Sequence, residues 1–247
     1  MITIENVSVN NLEAAIRGMR NSWNSWEKSD SDICGSWYDE ECSKDCVHRY
    51  ICNGTTAHLI VGENDLALMK QLVKAGTDHR KFVRFISVTC DITAPLYWWK
   101  EADTYKVGTV ANSCSTMHTA HKKEFVLDDF SHEHLIDYCL YSCDEVDVPI
   151  IDGVPHVRCG GLQLLCLTIN ILNYYRRKYL ETNDKKYWWQ IIQLLPSSYN
   201  QKRTVLLNYE VLMNMYHSRK NHKLDEWRKF CEWIETLPYM RELLGVG

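Results

Sequence analysis

A run of charged and aromatic residues near the middle of the chain contains the first candidates for chemistry. Its members are Trp98, Trp99, Lys100, Glu101, Asp103 and Tyr105. Charged groups are costly to bury unless they are paired or bind a ligand, and aromatic faces stack well on flat rings. Trp98, Trp99 and Tyr105 could form the wall of a flat-ring pocket, but we interpret them as part of a core or a subunit interface. Lys100, Glu101 and Asp103 are candidates for pairing or for binding a ligand, and the alternative is that these charges alternate toward solvent.

Two serines follow this run in a polar, turn-rich segment. The hydroxyl groups of Ser113 and Ser115 would donate hydrogen bonds to a phosphate, helped by backbone N–H groups of a turn or a helix start. The same serines could instead cap a helix that begins near Thr116. The two interpretations are compatible, because a helix N-terminus both needs a cap and binds anions.

Four cysteines in a segment from about residue 28 to residue 57 raise the question of a zinc site. Cys34, Cys42, Cys46 and Cys52 are separated by seven, three and five residues, and His48 lies among them. These spacings match no common zinc finger or ribbon. The segment also lacks a sustained helical or strand period. We therefore predict an irregular cysteine-rich insert and no metal site.

Composition limits the class of protein. The 247 residues are 45% apolar and 24% charged, as in an ordinary folded protein. The formal net charge of −4 argues against a binder of DNA or RNA. No apolar run approaches the roughly 20 residues of a membrane helix, and no signal peptide is visible, so we expect a cytoplasmic protein. The eleven cysteines are then thiols rather than disulfides, with Cys139, Cys166 and Cys231 buried among apolar residues.

Apolar periodicity predicts the elements that must position these residues. Helices are expected at about 12–19, 63–75, 162–180, 186–194 and 224–237, with a further helix beginning after Pro196. His79–Ile92 alternates like a strand or a helix-to-strand junction. Predicted helices in both halves of the chain flank a mixed centre, which indicates the α/β (α+β) class. We interpret the chain as one domain, 1–247, with the insert at 28–57.

Two stretches, roughly residues 60–120 and 190–237, resemble in order the signature regions of flavin-dependent thymidylate synthases. That family has an early Glu-His element, followed by a motif of the form RHRxxSxNExSxRY. Asp78-His79 with Phe82 is similar to the first, and Asn112–Met117 is similar to the NExSxR half of the second.

The second stretch resembles the end of the family pattern, in which a Leu-Pro precedes a helix carrying Asn and Arg, and a further Arg follows. Counting on from Pro196, Asn208 and Arg219 fall at the positions of the helix Asn and the nucleotide-binding Arg. His222 could line a site beside Arg219.

The chain departs from the family pattern where that pattern is most basic. The RHR half is absent, and its single candidate cation is Lys100, which acts as a point charge where Arg grips a phosphate with two hydrogen bonds. Ser113 and Met117 replace the motif's Glu and last Arg, and Glu210 stands where the family has another nucleotide-contacting Arg. Trp98–His118 also resembles a segment that recurs in proteins of phages and gut bacteria, which indicates a subfamily with its own motif.

The resemblance implies a thymidylate synthase X-like fold, with a mixed central sheet flanked by helices and a helical C-terminal half. It implies methylation of dUMP to dTMP with FAD, NADPH and methylenetetrahydrofolate, in a homotetramer whose sites lie between subunits. The implied nucleotide-binding residues are Ser113, Ser115, Asn208 and Arg219, of which Arg219 is also the expected catalytic residue. The implied flavin-binding residues are His79, Lys100 and Asn112.

Other interpretations stay open. The chain could be a related enzyme that acts on a different nucleotide, or a nucleotide-binding protein that has lost flavin. Arg219 could be a solvated arginine at a helix C-terminus, where a positive charge is favourable by about 0.3–1 kcal/mol. His79 could be a structural residue whose hydrogen bonds are satisfied.

Overall fold

A computed structural model describes residues 1–34, 59–137, 150–151, 154–155 and 160–246. Most of the predicted cysteine-rich insert lies outside the described residues, including Cys42, Cys46, His48 and Cys52. Cys139, which is predicted to be buried, also lies outside them. Within the described ranges, no group of three or more His, Cys, Asp or Glu side chains could hold a metal ion. In that same part of the chain, no helix is long and apolar enough to cross a membrane.

Helices and strands are interspersed along the chain. In order they are β1 Thr3–Asn10, α1 Leu12–Arg20, β2 Asp32–Ile33, β3 Leu59–Ile60, α2 Glu63–Lys74, β4 Ser87–Pro95, α3 Leu96–Ala102, β5 Val110–Ser113, α4 Thr116–Thr119, β6 Ile150–Ile151, β7 Val154–Pro155, α5 Gly161–Thr182, α6 Lys185–Leu194, β8 Asn200–Asn208, α7 Tyr209–Arg219, α8 Asp225–Glu235 and α9 Met240–Leu244. A short 3-10 helix, Arg80–Arg84, precedes β4.

The chain divides into two compact units. The unit that we call the helical unit comprises Met1, Ala94–Trp99 and Ser113–Lys202. The other, which we call the sheet unit, comprises Ile2–Thr93, Lys100–Asn112 and Arg203–Gly247.

A four-stranded sheet has the strand order β1-β4-β8-β5. β1 and β4 are antiparallel, with Thr3 opposite Thr93 and Val9 opposite Val88. The register shifts between Glu5 and Ser8, where Asn6 has a φ of 52°, the left-handed geometry that a β-bulge often needs. Because side chains alternate across a strand, β4 buries every second residue.

The sheet unit surrounds its strands with amphipathic helices. The α1 face predicted from periodicity is buried, and so are the aromatic residues Tyr209, Trp227 and Phe230 of α7 and α8. A buried ion pair ties α1 to α2, with Nε of Arg20 2.6 Å from Oδ1 of Asp65. The other carboxylate oxygen of Asp65 accepts hydrogen bonds from Ser29 and Ser31, so this buried charge is satisfied.

The helical unit has its own core around α5 and α6. Its buried members are Ala120, Phe125, Phe130, Leu165, Ile169, Leu172 and Ile191. Asn173 is buried within this core, and its amide both donates to and accepts from the backbone of Phe125, at 2.8 and 2.9 Å. This pairing removes the cost of burying the amide.

Most predicted elements are confirmed, and the predicted mixed α/β class with them. The expectation of a helix from Pro196 onward is wrong, because Asn200–Asn208 forms β8 and α7 begins only at Tyr209. β8 buries Gln201, Val205 and Leu207 at even spacing, the period of a strand. The strand β1 was not predicted.

Candidate functional site

Arg219 occupies the last turn of α7 and is fixed by two specific contacts. Its Nε donates a hydrogen bond of 3.0 Å to the hydroxyl oxygen of Tyr105. Its Nη1 lies 3.1 Å from Oε2 of Glu101, and the Arg219 side chain is 22% exposed. The guanidinium carbon also lies 5.0 Å from the centre of the Trp227 ring, within the range of a cation–π interaction. Arg219 is therefore held in one orientation and is not a solvated side chain.

Glu101 lies at the end of α3 and contacts several of these side chains through one of its two carboxylate oxygens. Oε2 accepts a hydrogen bond of 2.7 Å from the indole N–H of Trp227, and Nε2 of His222 lies 3.5 Å from the same oxygen. Nδ1 of His222 accepts from the backbone N–H of Leu224 at 3.2 Å. Neutral His222 therefore carries its hydrogen on Nε2, toward Glu101. We call Glu101, Tyr105, Arg219, His222 and Trp227 the Glu101–Arg219 cluster.

The cluster explains part of the charged aromatic run. Asp103 pairs with Arg203 at 2.7 Å, and Glu101 pairs with Arg219, whereas Lys100 is exposed. Trp98 and Trp99 are 1% and 4% exposed, so these two indoles belong to a core and do not form the wall of an open pocket. Tyr105 is the aromatic residue of the run that contacts the candidate arginine.

Asn208 lies at the junction of β8 and α7, not on a helix as the family pattern implied. Its side-chain oxygen accepts from the backbone N–H of Val211 at 2.9 Å, which makes it the N-cap of α7. Its side-chain nitrogen faces Gly108, where a Cβ atom would lie 2.4 Å away, and Gly108 has a φ of +79°. The cap uses one lone pair of the Asn208 side-chain oxygen and leaves its amide N–H groups as donors for a ligand.

Glu210 is neutralised by two arginines of the 3-10 helix. Arg84 grips both carboxylate oxygens of Glu210, through Nε and Nη2. Nε of Arg80 lies 3.4 Å from Oε1 of Glu210, and its Nη2 donates to Asn214. The hydrogen bond and the charge of Glu210 raise the pKa of Arg84. Glu210 is therefore paired with two guanidinium groups, and the charge of Asp78 raises the pKa of Arg84 as well.

His79 immediately precedes this 3-10 helix. Its backbone N–H donates to Gly76 at 3.1 Å, and its side chain is exposed. Among the described residues, no hydrogen bond of the imidazole is present. The interpretation of His79 as a satisfied structural histidine therefore finds no support, and its ring is accessible to a ligand.

The two serines lie in the helical unit. Ser113 ends β5, and Ser115 is the N-cap residue of α4, which begins at Thr116 as predicted. The Ser115 hydroxyl makes no capping hydrogen bond, so the hydroxyl is available to another acceptor. Asn112, which precedes them, is exposed and belongs to the sheet unit.

Sequence patterns missed several residues of these clusters. Trp227 and the pair Arg80 and Arg84 were not singled out. Two arginines four residues apart beside His79 were the available signal for the pair. Trp227 gave no signal, because its contact with Glu101 joins residues 126 positions apart.

The fold is similar to solved structures of nucleotide enzymes. Thymidylate synthase X from Helicobacter pylori, crystallised with FAD and dUMP, matches with a TM-score of 0.59 and 15% identity over 98% of this chain and 97% of that one. The UMP/dUMP methylase PolB from Streptomyces cacaoi, bound with 5-Br dUMP, matches with a TM-score of 0.53 and 14% identity over 99% and 95%. No family model matches the chain, and no curated protein does. At these identities the likeness shows the fold, which confirms the fold that the resemblance predicted.

Proposed function

We propose that this chain, which has the fold of thymidylate synthase X, binds a pyrimidine deoxynucleotide, dUMP in the first place, and methylates it with the help of a flavin. The observation that carries the proposal is that the Arg219 guanidinium is held in one orientation and keeps unused hydrogen-bond donors. Glu101 and Tyr105 fix two edges of its guanidinium, and among the described residues Nη2 makes no hydrogen bond or ion pair. An oriented guanidinium with unused N–H groups is suited to bind an anionic or carbonyl oxygen.

Asn208, in the sheet unit, is also proposed to bind the nucleotide, through amide N–H groups that the helix cap leaves unused. Ser113 and Ser115, in the helical unit, are proposed as phosphate donors. None of these side chains is a strong acid or base, so their part is to bind and orient the substrate, with Arg219 polarising an oxygen of the base.

The proposed cofactor is FAD, which supplies hydride chemistry when bound. His79, Lys100 and Asn112 are exposed side chains that could hold it. Arg80 and Arg84 belong to the 3-10 helix that follows His79, and guanidinium groups suit a cofactor that carries a pyrophosphate. NADPH as reductant and methylenetetrahydrofolate as one-carbon donor complete the proposal.

A related reaction is the second candidate. The likeness to a UMP/dUMP methylase, together with the absence of the RHR half of the motif, favours an enzyme of this fold that acts on another pyrimidine nucleotide or uses another donor. A binding protein without flavin is the third outcome that an experiment must separate from these two.

We also propose that the chain forms a homo-oligomer, with a tetramer as the first candidate. An exposed apolar face of α5 supports this proposal. One face of α5 buries Leu165, Ile169 and Leu172 in the core of the helical unit. The opposite face carries a second apolar row, which we call the exposed α5 stripe. Its members are Leu164, Leu167, Ile171 and Tyr174, which are 52%, 49%, 37% and 48% exposed. Their spacing of three, four and three residues is the pattern by which helices pair.

Absorption spectra of the purified protein test the proposed function. We expect the yellow flavin spectrum, either as purified or after adding FAD, and a shift of that spectrum when dUMP is added. Flavin without a response to dUMP would favour the related enzyme with another substrate. Protein that binds dUMP but takes up no flavin would favour the binding protein, and the absence of both would refute all three.

A further inference from the structure

Glu101 has one carboxylate oxygen that its neighbours leave unused. Oε2 accepts from Trp227 at 2.7 Å and pairs with Arg219 at 3.1 Å. In the described part of the chain, Oε1 accepts no hydrogen bond. The side chain is 37% exposed, so a ligand can reach Oε1. Because the first oxygen is fixed, the direction of the second is fixed as well.

Arg219 and Tyr105 provide hydrogen-bond donors near the unused Oε1 atom of Glu101. Arg219 uses Nε on Tyr105 and Nη1 on Glu101, which leaves the two N–H bonds of Nη2. The Tyr105 oxygen accepts from Arg219, and its own hydrogen has no acceptor among the residues that the structure describes. The cluster therefore presents one carboxylate acceptor together with donors from a guanidinium and a phenol.

The edge of a uracil ring is complementary to this arrangement. It carries one N–H donor, at N3, between two carbonyl acceptors, O2 and O4. Cytosine has a bare nitrogen acceptor at N3 and an amino donor in place of O4. A carboxylate only accepts hydrogen bonds, so a cytosine in the same position would set one lone pair against another.

We infer that Glu101 accepts a hydrogen bond from N3–H of a uracil base, with Arg219 on a neighbouring carbonyl, and that this pair makes the site select uracil over cytosine nucleotides. The inference rests on the proposed pyrimidine nucleotide site and deepens it. Trp227 and His222 are positioning residues that hold Glu101, and only Glu101 and Arg219 touch the base.

Fixed groups discriminate better than mobile ones. Lys100, one residue earlier, is exposed and would have to be ordered by a ligand. Glu101 and Arg219 are already ordered by contacts with three aromatic or imidazole side chains, so binding costs little side-chain entropy. A wrong base would cover the Oε1 atom of Glu101 without donating to it, which costs more than the loss of a neutral hydrogen bond.

Calorimetric titration of the full chain, in the presence of FAD, tests the inference with three ligands. They are dUMP, dCMP and the dUMP analogue methylated at N3, in which a methyl group replaces the proposed hydrogen. We expect dUMP to bind at least about tenfold more tightly than either of the others, since Oε1 of the charged Glu101 receives no hydrogen bond from them. In Glu101→Gln, whose amide can also donate, we expect the ratio between dUMP and dCMP to fall to near one.

The matched control is Glu232→Gln, an exposed glutamate of α8, which should keep the discrimination of the unaltered chain. If all three ligands bind the unaltered chain equally, the inference is wrong while the nucleotide site stands. If none of the three binds, the proposed function fails first. Should Glu101→Gln not fold, the three ligands on the unaltered chain still decide the question.

Discussion

At the scale of single residues, Arg219 shows how neighbours turn a flexible side chain into a fixed donor. Its long side chain would be mobile at a helix end, but Tyr105, Glu101 and Trp227 hold it. These contacts use Nε and Nη1 of Arg219. Among the described residues Nη2 makes no hydrogen bond, so its two N–H groups remain for a ligand.

Arg219→Ala is predicted to weaken the binding of dUMP by roughly 10- to 100-fold, the size of a charge-assisted hydrogen bond. Titration calorimetry measures the change, with circular dichroism to confirm that the variant folds. Arg17→Ala, which removes an arginine that is 66% exposed on α1, is the control and should bind dUMP normally. An unaltered affinity in Arg219→Ala would remove Arg219 from the site.

Cysteines provide a second test at this scale. Burial raises the pKa of Cys90 and of Cys231 to about 12, so both thiols stay protonated at pH 8 and should resist iodoacetamide. Cys114 and Cys166 are exposed and should react. The prediction of a buried Cys166 was wrong, because α5 is apolar on two faces and only one is covered; that of Cys231 is confirmed. Mass spectrometry of the labelled peptides checks the pattern, and early labelling of Cys90 would contradict it.

At the scale of elements, the turn before β5 and the start of α7 depend on each other. Gly108 approaches the Asn208 side chain, and the oxygen of that side chain caps α7. A side chain at residue 108 would meet both a strained backbone and the amide of Asn208.

Gly108→Ala is predicted to destabilise the chain by about 1–3 kcal/mol from backbone strain alone, with a further loss as the cap of α7 is displaced. Gly245→Ala is the matched control, because Gly245 has a similar φ of +69° and nothing within 4 Å. Urea unfolding of the two variants separates strain from collision. Equal losses would show that Asn208 moves aside without consequence.

Periodicity predicted some elements better than others, for physical reasons. The buried face of α1 follows from its helical spacing, since a surface helix must hide one stripe. β8 was mistaken for a helix because Val205, Leu206 and Leu207 form a short continuous apolar run, which periodicity alone cannot assign. The strand is specified by its neighbours β4 and β5, which are distant in sequence.

The candidate site was predictable only as far as its residues lie close together in sequence. Glu101 and Tyr105 stood out because charges and aromatics are adjacent in one segment. Their link to Arg219 and Trp227 spans more than a hundred residues, and spacing within a segment carries no information about such contacts.

At the scale of the whole molecule, α5 predicts assembly. A helix that is apolar on opposite faces needs two apolar environments, and its own unit provides one of them. The exposed α5 stripe extends about 15 Å along the helix, and a second copy of the same stripe is its proposed cover.

Ile171→Glu is predicted to shift the chain toward a smaller oligomer, because a charge in the centre of the stripe would be buried without a partner. Light scattering coupled to size exclusion measures the mass. Arg177→Glu, an exposed position of the same helix outside the stripe, should leave the mass unchanged. A mass that is the same in both variants would place the assembly surface elsewhere.

The pairing of Glu210 with Arg80 and Arg84 constrains which residues position 210 can accept. An arginine there would bring three guanidinium groups together and remove the carboxylate that now pairs with two of them, and like charges at such distances repel. An arginine at position 210 is therefore compatible with this fold only alongside a change at residue 80 or 84, so the exchange takes at least two coordinated substitutions.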